Sequence, residues 1–394
     1  MESSDWPTVM PTTHLIAVGA VACDVILGVP FYPGEDSKLR ATSCNKRRGG
    51  NVGNTLEVLQ RLLANQDQRG TTSKVQLSLV AALPRSTSPS IDFIASSFGG
   101  NSDNGSAGDS PIVGMQHCLY RDAYQEPVTS YIVSSEANSS RTIVNHNPLP
   151  EMTFAEFRQI ADRILSTTAT SSMGGEASRV WFHFEGRIPE VTLECVSYLR
   201  AHHVFRAREV EEGTAANHLT ISVEVEKPGR EGLQALAHSA DVVFYSRSWA
   251  EGQGYGTAED CLRRQEEILR VSPTFQPYAI SRLLVCTWGA GGAWGLQSSR
   301  LQKDESDNVT DASAIVHSPA YRVDGARVVD TTGAGDTFIA GMLFRLLQHR
   351  KSTAFSDITH FGLFHDQGNL RASLDYANSL AGRKILQQGF SGLG

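Results

Sequence analysis

RVVDTTGAGDTFIAGMLFR, residues 327–345, decides how this chain folds. An apolar run ends at Val329, three small residues stand at Gly333, Ala334 and Gly335, and from Asp336 onward Ile339, Met342, Leu343, Leu346 and Leu347 recur at helical spacing. The pattern predicts strand, tight turn and helix. Side chains this small cannot shield the backbone, so N–H groups of the helix's first turn point at one spot, which the helix dipole makes attractive to anions. A carboxylate beside a bound phosphate is repelled unless it has a chemical task. Taking the proton from a hydroxyl that attacks the phosphate is such a task, and Asp336 is the candidate general base. The competing reading is that Asp336 merely caps the helix, a common role for Asp after a Gly-rich turn.

Outward from this stretch the strand-then-helix rhythm repeats. HLIAVG, 14–19, suits a buried parallel strand, and Asp24 follows in what reads as a turn beyond its carboxyl end, where α/β enzymes bind ligands. RRGGNVGN, 47–54, leads into a helix with apolar positions Val52, Leu56, Leu59 and Leu63, which puts Gly50, Asn51 and Asn54 at a helix start. Strand-length apolar runs recur at 75–83, 180–184, 221–225, 241–245 and 283–286, with helical patterns at 154–165 and 191–199. The rhythm predicts an α/β fold in one domain, 1–394: a doubly wound, mostly parallel central sheet with helices on both faces.

Two regions depart from the rhythm. Between 115 and 147 the residues alternate, with YIV at Tyr131 and RTIV at Arg141, which predicts a β-hairpin that forms a small separate sheet with segment 29–48. Arg141 by itself reads as a solvated edge charge. Polar tracts at 97–111, 166–178 and 298–313 read as surface insertions, the first too poor in apolar side chains to repay the entropy of ordering. WGAGGAWGL, 288–296, is Gly-rich, but Trp294 stands where a GxGxxG needs its last Gly, and no GxxxxGK[ST] occurs, so it reads as a hairpin turn. Phosphate binding then falls to the turn at 333–335.

At 394 residues and 40% hydrophobic the chain can bury a large core. Its 35 basic and 42 acidic residues give −7, and no basic stretch stands out, which argues against nucleic acid as a partner. Six scattered cysteines without CxxC or metal-like spacing read as reduced thiols of a cytoplasmic protein, and neither a signal peptide nor a membrane span is expected.

DTTGAGDTF, from Asp330, resembles the C-terminal signature of the ribokinase-like (pfkB) carbohydrate kinases, and GGNVGN, from Gly49, resembles their N-terminal one. The strings CDVI, GEDS, RRGGN, RTIV, HFEGR, SVEVEKP, DVVF, VCTWG and RVVDTTGAGDTF resemble the branch that phosphorylates fructose at its C1 hydroxyl. The resemblance implies a ribokinase-like fold with the small sheet as a β lid, ATP and Mg²⁺ as cofactors with K⁺ as a further candidate, and a homodimer formed through the lids. It implies that Gly333, Ala334 and Gly335 hold the transferring phosphate, with Asp336 as base. Asp24, Asp36, Gly50, Asn51, Asn54, Arg141 and Asp336 would hold the sugar. The nucleotide would lie along Trp288, Gly289, Ala290, Gly291 and Gly292 and near Gly333 and Gly335, reaching Asn378 and Ala381. The wider family's NxxE motif near the metal is replaced by SRSW at 246–249, so the metal's protein ligands are not assigned. A pfkB kinase for ribose or another ketose, and a catalytically idle sugar or nucleotide sensor, are the competing functions.

Overall fold

The structure, a computed structural model, describes residues 12–67, 75–99, 113–138, 140–171, 179–205, 218–271, 282–298, 313–323, 325–349 and 367–393. The chain opens with strands β1 (Thr13–Val18), β2 (Ala22–Val29) and β3 (Ser43–Gly49), then helix α1 (Asn51–Asp67), β4 (Val75–Val80), β5 (Ala82–Pro84) and α2 (Pro89–Ser96). Next come β6 (Val113–Gly114), β7 (Leu119–Arg121), β8 (Val128–Ser135), β9 (Arg141–His146), α3 (Phe154–Ser171), β10 (Arg179–Glu185), α4 (Pro189–Ala201), β11 (His218–Val225) and α5 (Leu233–Ser239). The last part holds β12 (Val242–Ser246), α6 (Arg247–Gly252), α7 (Ala258–Val271), β13 (Arg282–Thr287), β14 (Ala293–Ser298), β15 (Ile315–Ser318), α8 (Ala334–His349) and α9 (Gln367–Lys384).

A nine-stranded sheet runs β15-β14-β13-β12-β11-β10-β1-β4-β6. It is parallel from β6 to β13, and β14 and β15 extend it antiparallel. Successive side chains along a strand point to opposite faces, and this splits the core in two. Leu15, Ala17, Trp181, Leu283 and Val285 pack with α1, α8 and α9, while Ile16, Val18, Phe182, Phe184, Leu284 and Cys286 pack with α3, α4 and α7. The doubly wound sheet expected from the sequence is thus present. The chain lays β4 and β6 on one side of β1 and then returns β10 to the other, so strand order reverses between β1 and β10, where such sheets open a ligand crevice. The backbone marks the spot: Ala20 N–H, just past β1, donates to Glu185 Oε2 at the end of β10 (2.8 Å).

Over the crevice stands the small sheet, β3-β2-β8-β9. Ala22, Asp24, Ser130, Ile132, Ile143 and Asn145 face the crevice. The opposite face carries Val25, Leu27, Tyr131, Val133 and Val144, with Tyr131 48% and Val144 62% exposed.

Several boundaries differ from the sequence reading. Asp24 lies within β2, not in a turn, opposite Arg47 of β3, whose charge makes a buried strand Asp tolerable. β2 supplies a central strand of the small sheet, whereas the residues around Leu39, expected to contribute, form no strand. β7 leaves the hairpin and pairs with β5. α3 runs on to Ser171 into the tract read as an insertion, because Ser166 and Thr167 satisfy their hydroxyls on the carbonyls of Arg163 and Ile164 (2.9 and 2.7 Å). Ser97 and Phe98 belong to the packed structure, with Phe98 2% exposed and its carbonyl held by Gln60 Nε2 at 2.7 Å. The rest of the polar tracts, 100–111, 172–178 and 299–312, lies outside the described residues. WGAGGAWGL does form the hairpin turn between β13 and β14. Among the described residues no helix is long and apolar enough to cross a membrane.

Candidate active site

The crevice is a cleft of about 600 Å³ whose lining joins the small sheet, the start of α1, the ends of β10 and β11, and the start of α8. Gly333 adopts φ 80°, and a Cβ there would lie 2.6 Å from the Phe390 ring, so only glycine fits the turn. A Cβ on Gly335 would meet nothing within 4 Å, so the first turn of α8 opens onto the cleft with its N–H groups. Thr337 ties the turn down: its N–H and Oγ1 both donate to Gly333 O (2.9 and 2.8 Å).

Asp336 is not the helix cap. α8 begins at Ala334, and the half-buried Asp336 carboxyl accepts across the cleft from Asn54 Nδ2 of α1 (2.6 Å). Burial pushes its pKa well above the ordinary carboxylate range, Glu224, Glu226 and Glu185 push it further, and the Asn54 hydrogen bond opposes them. A carboxyl raised this way is a stronger proton acceptor than an ordinary aspartate. Asn54 is held in turn by Arg48, whose Nη1 donates to Asn54 Oδ1 (2.8 Å).

The acidic wall is the part the sequence reading missed. Glu185 ends β10, Glu224 sits near the end of β11 and Glu226 just past it. Asn51 Nδ2 bridges Glu224 Oε2 (3.0 Å) and Glu226 Oε2 (2.8 Å). Burial lifts Glu185 to about 7, with the Glu224 charge adding to it, and lifts Glu224 to about 8. Burial also lowers His183 to about 3, so its contact with Glu224 Oε1 (3.0 Å) is a hydrogen bond between neutral groups at pH 7 and not an ion pair. A carboxyl whose folded pKa exceeds its unfolded 4.5 stabilises the fold below 4.5 and loses that contribution as pH rises through the folded value. The melting temperature is therefore expected to fall between about pH 4.5 and 8, with a shallower slope in Glu224→Gln. Identical slopes in the two proteins would refute this assignment.

Other expected sugar residues divide. Asp24, Gly50, Asn51, Asn54 and Arg141 line the cleft. Arg141, exposed on the edge strand β9, reaches across it to hydrogen-bond Thr332 Oγ1, so it is more than a solvated edge charge. Asp36 is not brought in: it occupies an exposed turn in the left-handed region (φ 56°), away from the cleft lining. Arg47 bridges sheet and turn, with Nε 3.5 Å from Asp24 Oδ2 and Nη1 2.6 Å from Asp330 Oδ2. Lys384, fully buried, donates to Asp330 O (3.1 Å) and Oδ2 (3.2 Å). Burial alone would raise the Asp330 carboxyl, but the Arg47 hydrogen bond, the Thr332 amide and the Arg47 and Lys384 charges hold it at about 2.

Of the residues expected to meet the nucleotide, Trp288 to Gly292 form the β13–β14 turn, with Thr287 beside them in the cleft wall. Asn378 is already committed: its Nδ2 donates to Ser318 O (3.0 Å) and Ser318 Oγ (2.8 Å), pinning β15 to α9. Ala381 packs against the core beside it. The Asn378 Nδ2 group is thus engaged at the contact between β15 and α9.

An open helix start, a raised carboxyl beside it and a polar cleft under a small sheet have the make-up of a site for phosphoryl transfer to an alcohol. A match to the model of the pfkB family carbohydrate kinases extends over residues 117–392, and the chain belongs to that family. It is 26% identical over 386 residues to mouse ketohexokinase, covering 98% of this chain and all of that protein. The ribokinase of Giardia lamblia has a similar structure, with TM-score 0.64 and 15% identity, over 97% of this chain and 95% of that one. A fructokinase from Xylella fastidiosa with bound ATP gives TM-score 0.58 and 17% identity over 96% and 93%.

Proposed function

We propose that this sugar kinase is an ATP-dependent ketohexokinase that phosphorylates the C1 hydroxyl of fructose to give fructose 1-phosphate. The observation that carries the reading is that the Asp336 carboxyl and the open first turn of α8 face the same cleft as Asp24, Asn51, Asn54 and Arg141. The choice of fructose rests on the likeness to a ketohexokinase. In this reading Asp24, Asn51, Asn54 and Arg141 bind the sugar hydroxyls. Asp336 takes the C1 proton, and the Gly333 to Gly335 amides offset the charge developing on the transferred phosphoryl group. The nucleotide lies along Trp288 to Gly292.

Among the described residues no group of three His, Cys, Asp or Glu side chains is arranged to hold a metal ion. The acids of the cleft are carboxylates, a donor class that suits Mg²⁺, which keeps most of its water and needs one or two such ligands besides phosphate. Glu226, 38% exposed at the rim, would be the candidate ligand, in competition with its contacts to Lys227 Nζ (2.8 Å) and Asn51 Nδ2 (2.8 Å). When bound, Mg²⁺ neutralises charge on the β- and γ-phosphates. K⁺ is carried as a second ion to be tested by replacement with Na⁺. ADP release across fructose, ribose, other ketoses and adenosine tests the whole reading. Fructose is expected to give the highest kcat/KM, ribose in first place would move the chain to another pfkB specificity, and no turnover with any would favour an idle sensor.

The apolar outer face of the small sheet supports a homodimer formed lid to lid, since a sheet this small with an uncovered apolar face is marginal alone. Sedimentation at micromolar concentration is expected to show twice the 42.8 kDa chain mass, and Tyr131→Glu is expected to give monomers. A wild-type sample that stays at 42.8 kDa throughout would sink the idea.

A further inference from the structure

The RRGGN string carries two arginines with no role in the reaction so far, and neighbouring residues of a strand point to opposite faces. Arg47 goes to Asp24 and Asp330, and Arg48 goes the other way into the core. The Arg48 side chain is 1% exposed. Its Nε donates to Ser97 Oγ (2.9 Å), its Nη2 pairs with Glu57, its Nη1 donates to Asn54 Oδ1 (2.8 Å), and its plane lies over the Phe98 ring (5.2 Å). Swapping a buried ion pair for apolar side chains is often neutral for stability, so stability alone is a weak account of this arginine.

Its chemistry has a sharper consequence. Arginine only donates, so the Asn54 atom facing it must be the carbonyl oxygen, and Nδ2 must face Asp336. One Asp336 oxygen is thereby held by a neutral donor and the other is left for the acceptor hydroxyl. We propose that Arg48 is a positioning residue for phosphoryl transfer: through Asn54 it orients the Asp336 carboxyl and favours its proton-accepting form. The inference rests on reading Asp336 as the base. Without Arg48 the Asn54 amide is free to turn its oxygen toward Asp336, which favours a protonated carboxyl, and a nearby cation is lost. Both effects act in one direction, against Asp24 of β2, Glu185 of β10, Glu224 and Glu226 at the end of β11, and Arg141 of β9, all of which stay in place.

The test is the pH dependence of kcat, measured with MgATP and fructose, or with whichever sugar of the panel turns over fastest, for wild type, Arg48→Met, Arg48→Lys and Asp336→Asn. Arg48→Met is expected to lose roughly 10–100-fold at pH 7 and to recover to within a few-fold at pH 9, its acid limb displaced by about one unit or more, with KM for ATP unchanged. Arg48→Lys keeps a cation but cannot hold Ser97, Glu57 and Asn54 in one plane, so its limb is expected to move part of the way. A uniform loss at every pH, or a wild-type profile, in a folded variant would overturn the inference. If Arg48→Met fails to fold, Arg48→Lys decides in the same terms. Asp336→Asn separates the two ideas: it is expected to stay slowed by about 10²–10⁴-fold at every pH with no recovery at pH 9, and if it works at wild-type rate the base assignment falls whatever the arginine variants do.

Discussion

Asp336→Asn is expected to slow phosphorylation about 10²–10⁴-fold while the protein stays folded and still binds sugar and nucleotide. The substitution keeps the size of the side chain and removes the proton acceptor. It also removes a carboxyl whose burial among Glu185, Glu224 and Glu226 is electrostatically unfavourable, so the variant is expected to melt no lower than wild type and to hold ATP at least as tightly. Asn54 Nδ2 keeps an acceptor in the new side-chain carbonyl. Calorimetry, nucleotide titration and single-turnover kinetics on one preparation check all three statements. A folded Asp336→Asn protein working at wild-type rate would take Asp336 out of the mechanism.

Gly50→Ala is expected to be nearly as damaging, for reasons of shape and not of proton chemistry. Gly50 has φ 92°, a region that costs a residue with Cβ about 1–2 kcal/mol. The added carbon would lie 2.3 Å from Ala20 O and 2.8 Å from Val21 Cα, both backbone atoms of the segment joining β1 to β2. Neither can swing aside as a side chain does. Relief requires moving the start of α1, and with it Asn51 and Asn54, away from Glu224 and Asp336. A loss of at least about 2 kcal/mol in stability and a fall of roughly 10²-fold in kcat/KM for the sugar are expected. An unchanged melting temperature with an unchanged sugar KM would show that the crevice tolerates a displacement here.

The sequence reveals the α/β architecture because buried parallel strands are apolar on both faces and their helices repeat at a different period, so runs such as HLIAVG and LLVC identify themselves. The turn at 333–335 and its helix are legible from small residues ahead of an apolar helical period, but the strand expected before them is absent: Val328 and Val329 are 49% and 55% exposed and lie in no strand. What escaped reading depends on partners distant in sequence. Asp24 looks like a turn residue until Arg47 stands opposite it. Glu185 and Glu224 look like the polar ends of strands until β10 and β11 are laid side by side and Asn51 reaches Glu224. Asp36 is implied only by a family string, and nothing local shows that its segment turns outward. Asn378 is implied at the nucleotide by resemblance alone, and its commitment to Ser318 is a tertiary fact.

The order of strands also has a consequence for how the protein is made. β1, the axis of the main sheet, pairs with β10 from Thr13↔Arg179 onward, and β2 of the lid pairs with β8 from Ala22↔Val128. A ribosome adding about 5–20 residues per second leaves the first strand without its later neighbour for roughly 10–30 s. During that interval an apolar strand bound for a sheet interior is exposed, and contacts so distant in sequence are slow to close once both partners exist. Slowing translation beyond residue 185 should therefore lower the yield of folded enzyme less than slowing it before.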